Sequence, residues 1–153
     1  MRAISLLLLA CGLFGILACA RRTTLPPSTT GEGAAAVLAA AGIWSYRAQN
    51  AEGKTVAEGT LTLNRDEASL LSGTWHINPV GETLDIGPQI GDGRLEGYVD
   101  QGGTVHINMN PDYADNNVTL AGTVQGDRFE GTWSYATIAG VRSSGPFEAS
   151  PRD

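Results

Sequence analysis

The chain has 153 residues, 10 basic and 16 acidic, a net charge of −6, and two cysteines, Cys11 and Cys19. Everything after Cys19 therefore lacks a disulfide, a thiol nucleophile and a cysteine metal ligand. From Gly42 onward, seven basic residues stand against fifteen acidic ones, a net charge of −8, which disfavours nucleic acid and anionic membrane surfaces as partners.

The first element is an export signal over residues 1–18. Arg2 is followed by the apolar run from Ala3 to Ala18, too short for a confident membrane span, and then by a small-residue exit. Ile16-Leu17-Ala18-Cys19 resembles the lipobox of bacterial lipoproteins. That resemblance implies lipidation at Cys19 and a lipid anchor to the cell-envelope membrane. Ala18-Cys19-Ala20 also fits ordinary small-x-small cleavage, which would release a soluble secreted or periplasmic protein starting at Arg21. An uncleaved anchor is the third alternative.

Residues 19–41 read as a linker. Arg21 to Gly33 (RRTTLPPSTTGEG) is rich in Thr, Pro, Ser and Gly and has little to bury. Ala34 to Ala41 (AAAVLAAA) has the composition of a short helical turn but is marginal as an isolated helix.

The remainder, residues 42–153, repeats one unit: a Gly, a mostly polar residue, then a large apolar one. It occurs at Gly42-Trp44, Gly59-Leu61, Gly73-Trp75, Gly97-Val99, Gly103-Val105, Gly122-Val124, Gly131-Trp133 and Gly145-Phe147. Period-two alternation around these units puts Trp44, Tyr46 and Ala48 on one face and Ser45, Arg47 and Gln49 on the other. The same reading places Trp75, Ile107, Trp133, Tyr135 and Phe147 on the apolar face. Strands are expected over residues 43–49, 55–63, 69–77, 93–100, 104–110, 118–125, 128–136 and 142–149, with a weaker ninth over 82–86. The connections are short and turn-forming (Asn50 to Gly53, Gln101 to Gly103, Gln125 to Asp127), so successive strands should pair as hairpins. The fold class is all-β. About eight antiparallel strands with one buried face remove their edges by closing into an up-and-down barrel, and the recurring inward glycines allow the necessary coiling.

Gly42-Ile-Trp44, Ser72-Gly-Thr-Trp75, Glu130-Gly-Thr-Trp133 and Ser144-Gly-Pro-Phe147 resemble the strand punctuation of small bacterial lipocalin-like and avidin-like barrels. The resemblance implies a fold and a ligand-in-barrel mode of binding. An avidin-like site needs inward polar groups for its ligand's polar head, and the alternation offers no obvious set.

Chemistry is sparse on the inward face, which has no Asp, Glu, His, Lys or Arg. Only the hydroxyls of Tyr46, Tyr135 and Ser143 are interior candidates. No enzymatic activity, catalytic residue, metal or cofactor is therefore expected. His76 and His106 fall on the polar face, and Asp66-Glu67, Asp112/Asp115 and Glu96/Asp100 read as turn and surface acids. Asn110 to Asn117 is the most polar loop but lacks the spacing of a calcium loop.

Two functions follow. One is a barrel that takes a small apolar ligand against Trp44, Tyr46, Trp75, Trp133, Tyr135 and Phe147, with the long connection from Asn78 to Gly93 as its lid. The other is a filled barrel whose loops engage another envelope protein, as an interaction or inhibitor module. The volume left inside the barrel separates them.

Overall fold

The computed structural model describes residues 42–66, 70–82 and 85–152. The expected signal over 1–18 and linker over 19–41, with Cys19, lie outside the described residues. So does Glu67.

Among the described residues there are eight strands: β1 (Gly42–Gln49), β2 (Thr55–Arg65), β3 (Leu70–Pro79), β4 (Gly91–Val99), β5 (Val105–Asn108), β6 (Asn116–Gln125), β7 (Arg128–Thr137) and β8 (Gly140–Pro151). Each pairs antiparallel with the next, and β8 returns to β1 from Trp44↔Pro151 to Ala48↔Phe147, closing the barrel. Closure leaves no edge strand among the described residues, although the four-residue β5 leaves Gly91–Leu95 of β4 paired with β3 alone.

Alternation fixes what fills the barrel. Trp44, Tyr46 and Ala48 of β1 are buried while Ser45 and Arg47 are exposed. The pattern continues through Leu61 and Leu63, Trp75 and Ile77, Leu120 and Val124, and Phe129 and Trp133. The Phe129 and Phe147 rings meet edge to face at 4.8 Å, and Tyr46 lies 6.0 Å from Phe147.

Two tryptophans bind strands together. Trp75 of β3 is in register with Gly93 of β4, where a Cβ would lie 2.4 Å from the indole. The ring therefore crosses β4 in the space that glycine leaves, and Nε1–H donates to the Met109 carbonyl at 2.7 Å, just beyond β5. Trp133 of β7 is in register with Gly145 of β8 and donates to the Gln49 carbonyl of β1, also at 2.7 Å. Each Gly-Thr-Trp segment thus ties three consecutive strands, and Trp75 also covers the glycine it faces.

Two sequence expectations are corrected. Residues 82–86 do not form a ninth strand: Glu82, Asp85 and Ile86 lie outside the strands, and 83–84 are not described. Asp85 has φ 59° and Gly87 φ 70°, left-handed backbone that ends any extended run. β5 is also shorter than residues 104–110, because the Asn108 side chain accepts the Asn110 N–H at 2.9 Å and turns the chain out of the ladder.

The up-and-down order sorts the connections by end. β1 begins at the same end as the tight turns 100–104 and 126–127. The opposite end carries the connections 80–90 and 109–115 and the 138–139 turn. The long loops therefore lie away from the point where residues 1–41 join the barrel.

Candidate functional site

The axis of the barrel is occupied by its own side chains. Trp44 and Tyr46 are each 2% exposed, Trp133, Phe129 and Ile107 are each 1%, and Leu61 and Met109 are fully buried. These side chains pack against one another as a single cluster. Five of the six residues expected to meet a ligand (Trp44, Tyr46, Trp75, Trp133 and Phe147) are brought together in this core. Tyr135 packs against it half-buried.

The long connection turns inward and stoppers the distal mouth. Ile86 and Gln89 are buried, Gln89 completely. Gln89 Nε2 donates to the Ile86 carbonyl at 2.8 Å, while its Oε1 accepts the Tyr46 hydroxyl at 3.2 Å. Burial pushes the Tyr46 phenol well above its usual range, keeping it the donor in this pair. Ser143 Oγ donates to the Asp85 carbonyl, and the Tyr135 ring lies where any side chain at Gly87 would have to go. Of the three hydroxyl residues expected inside, only Tyr46 is fully buried; the Tyr135 ring and the half-buried Ser143 hydroxyl meet this plug from its rim. Asn110 completes the seat: Nδ2 donates to the Pro88 carbonyl at 2.9 Å and Oδ1 accepts the Val118 N–H at 3.1 Å.

Gln89 and Asn110 are the two buried polar residues that the sequence reading missed. Gln89 lay in no expected strand; Asn110 ended the expected 104–110 strand, where alternation put it on the wet face, and it turns inward because β5 stops at Asn108. Their hydrogen bonds go to the protein itself, so they do not form the vacant polar set an avidin-like site would need. Asn110→Ala would leave the Val118 N–H and Pro88 carbonyl unpaired, costing about 1–3 kcal/mol. In hydrogen exchange the amides of Ile86, Gly87, Gln89, Ile90 and Val118 should lose protection while those of β7 keep theirs.

The outer wall carries the charge. Arg47 bridges Glu58 at 2.9 Å and Glu148 at 3.4 Å, and Arg128 bridges Glu148 at 2.8 Å, a chain of exposed pairs worth little individually. The two histidines are on this wall and far apart in register. His76 Nδ1 meets Asp92 at 2.6 Å, and His106 Nε2 meets Asp100 at 3.1 Å. The Thr104 backbone N–H and then His106 hold the Asp100 carboxyl below its usual range. A depressed carboxyl stabilises the fold above its unfolded-state pKa. The 100–104 hairpin should therefore lose order only as pH falls through the lower, folded-state value, which a pH series of NMR spectra would follow.

Comparison with family models, curated proteins and solved structures found nothing that matches this chain. Function is accordingly read from the barrel itself.

Proposed function

We propose that this chain is an exported, membrane-tethered β-barrel whose interior is a filled scaffold and whose binding is done by its outer surface and distal loops. The observation that carries this reading is the packing of the axis: the aromatic residues that could line a ligand cup are consumed by one another and by the plug. Small-ligand sites need about 300–1,000 Å³ of concave space, and the inward residues packed as one cluster, 0–6% exposed, support an axis already filled. The export signal supports a place in the cell envelope, and the placement of the long loops opposite residue 42 supports contacts made away from the anchor. The acidic wall agrees with a partner other than nucleic acid.

Titration with an apolar fluorophore such as N-phenylnaphthylamine tests the reading. No saturable quenching of tryptophan fluorescence is expected. One-to-one quenching lost on Trp133→Phe would return the ligand to the interior. The anchor is tested separately: mass spectrometry of the mature protein should find an acylated N-terminal Cys19, and Cys19→Ser should abolish acylation. A mature chain that starts at Arg21 without acyl groups would remove the tether.

A further inference from the structure

We propose that the outer wall over β4, β5 and β6 is a binding site for a neutral saccharide chain. The inference rests on the reading that this barrel works through its outside, and it names the ligand class.

Register builds the site. Two rows of outward side chains cross the three strands side by side: Tyr98, His106 and Ala121 in one, Glu96, Asn108 and Thr119 in the next. They border an open hollow of about 510 Å³. The first row is an aromatic platform ending in a small residue. The Tyr98 and His106 rings stack at 4.9 Å and 17°, and Tyr98 is half exposed although it is a large aromatic on a polar wall. The platform is held in advance of any ligand. His106 is fixed by Asp100, and the other Asp100 oxygen accepts the Gly102 and Thr104 N–H groups at 2.9 Å each.

The second row is a line of hydrogen-bonding groups. Asn108 uses its oxygen on Asn110 N–H, which leaves both amide N–H donors without a protein partner among the described residues. Glu96 supplies carboxylate acceptors beside it, and Thr119 a hydroxyl. A ring face next to a row of donors and acceptors matches a pyranose, which offers C–H groups on one face and hydroxyls around its rim. Beyond Pro111, which borders both, lies a second hollow of about 390 Å³ bordered by Tyr113, Arg94 and Asp112. Tyr113 is 60% exposed, a second aromatic surface bordering that neighbouring hollow. Two adjoining hollows with an aromatic in each suit several linked sugars better than one.

Charge selects among sugars. Glu96 and Asp100 flank the platform, and Arg94, the cation beside it, is engaged by Glu96 at 3.2 Å and Asp112 at 3.7 Å. Three carboxylates (Glu96, Asp100 and Asp112) stand against the one arginine, so phosphorylated, sulfated or uronic-acid chains would meet a net acidic surface, whereas neutral hydroxyls can donate to it. Wall hollows of similar size lie elsewhere: the one around Arg47, Glu58 and Glu148 has its charged groups in ion pairs, and neither it nor those beside Thr74 and Thr132 has an exposed Tyr, Trp or Phe.

The test is an NMR titration of the barrel with β-1,4-linked tetramers of glucose and of N-acetylglucosamine, with a polygalacturonate tetramer as the anionic comparison. A neutral tetramer should move the Tyr98, His106 and Asn108 signals saturably, and the anionic chain should not. Tyr98→Ala should weaken binding about tenfold, and Asn108→Ala should weaken it while leaving the Tyr98–His106 stack in place. Tyr98→Phe, which keeps the ring, should retain most of the affinity. The proposal is overturned if neither neutral tetramer shifts these signals at millimolar concentration, or if Tyr98→Ala leaves the shifts unchanged. Stronger binding of the anionic chain also overturns it. Shifts confined to the Trp44, Trp75 and Trp133 indoles would instead overturn the filled-barrel reading on which it rests.

Discussion

Trp133→Ala is expected to destabilise the barrel by about 3–5 kcal/mol, the range for deleting a large buried aromatic. Its neighbour Thr132→Ala should change stability by about 0.5 kcal/mol or less. Trp133 is 1% exposed and its Nε1–H is the link between β7 and the β1 end of the closing seam, through Gln49. The truncation therefore empties core volume and leaves the Gln49 carbonyl unpaired. Thr132 faces solvent one residue away. Urea denaturation of the two variants measures the difference. Trp133→Phe separates the contributions: it keeps much of the volume, loses the hydrogen bond, and should fall between them.

Gly73→Ala should be nearly as damaging, although it adds only one methyl group. A Cβ at residue 73 would lie 1.8 Å from the Thr62 carbonyl oxygen of β2, so the β2–β3 ladder must separate locally to admit it. The opposing atom is backbone, which cannot rotate away. The cost should reach or exceed the upper end of the about 1–3 kcal/mol typical of overpacked cores. Gly42→Ala is the control, since a Cβ there meets nothing within 4 Å. Similar melting temperatures for the two variants would mean that the inward glycines do not set the curvature of the wall.

How much of this was legible in the chain depends on which residues are asked about. Trp44, Trp75 and Trp133 could be placed inside because each sits in a period-two segment, and a strand has only two faces. Closure was legible for a related reason: eight one-sided strands joined by tight turns have few other ways to bury a face. The plug was not legible. Ile86, Gln89 and Asn110 lie in irregular backbone, where a residue's direction is set by left-handed turns such as Asp85 and by partners distant in sequence. The consequence for function is large, because aromatics that read as a possible cup become the packing around a stopper. The outer groove is an intermediate case. Alternation put Tyr98, His106 and Asn108 on the wet face, but only the register of three strands aligns them.

Xenon binding tests most directly whether the barrel is a filled scaffold, because xenon enters dry apolar cavities without needing a particular ligand chemistry. A packed axis predicts no saturable site: under xenon pressure the indole Nε1–H signals of Trp44, Trp75 and Trp133 should show only the small, linear drift of nonspecific contact. A saturable shift of those signals with one-to-one stoichiometry would reveal a cavity on the axis and contradict the account.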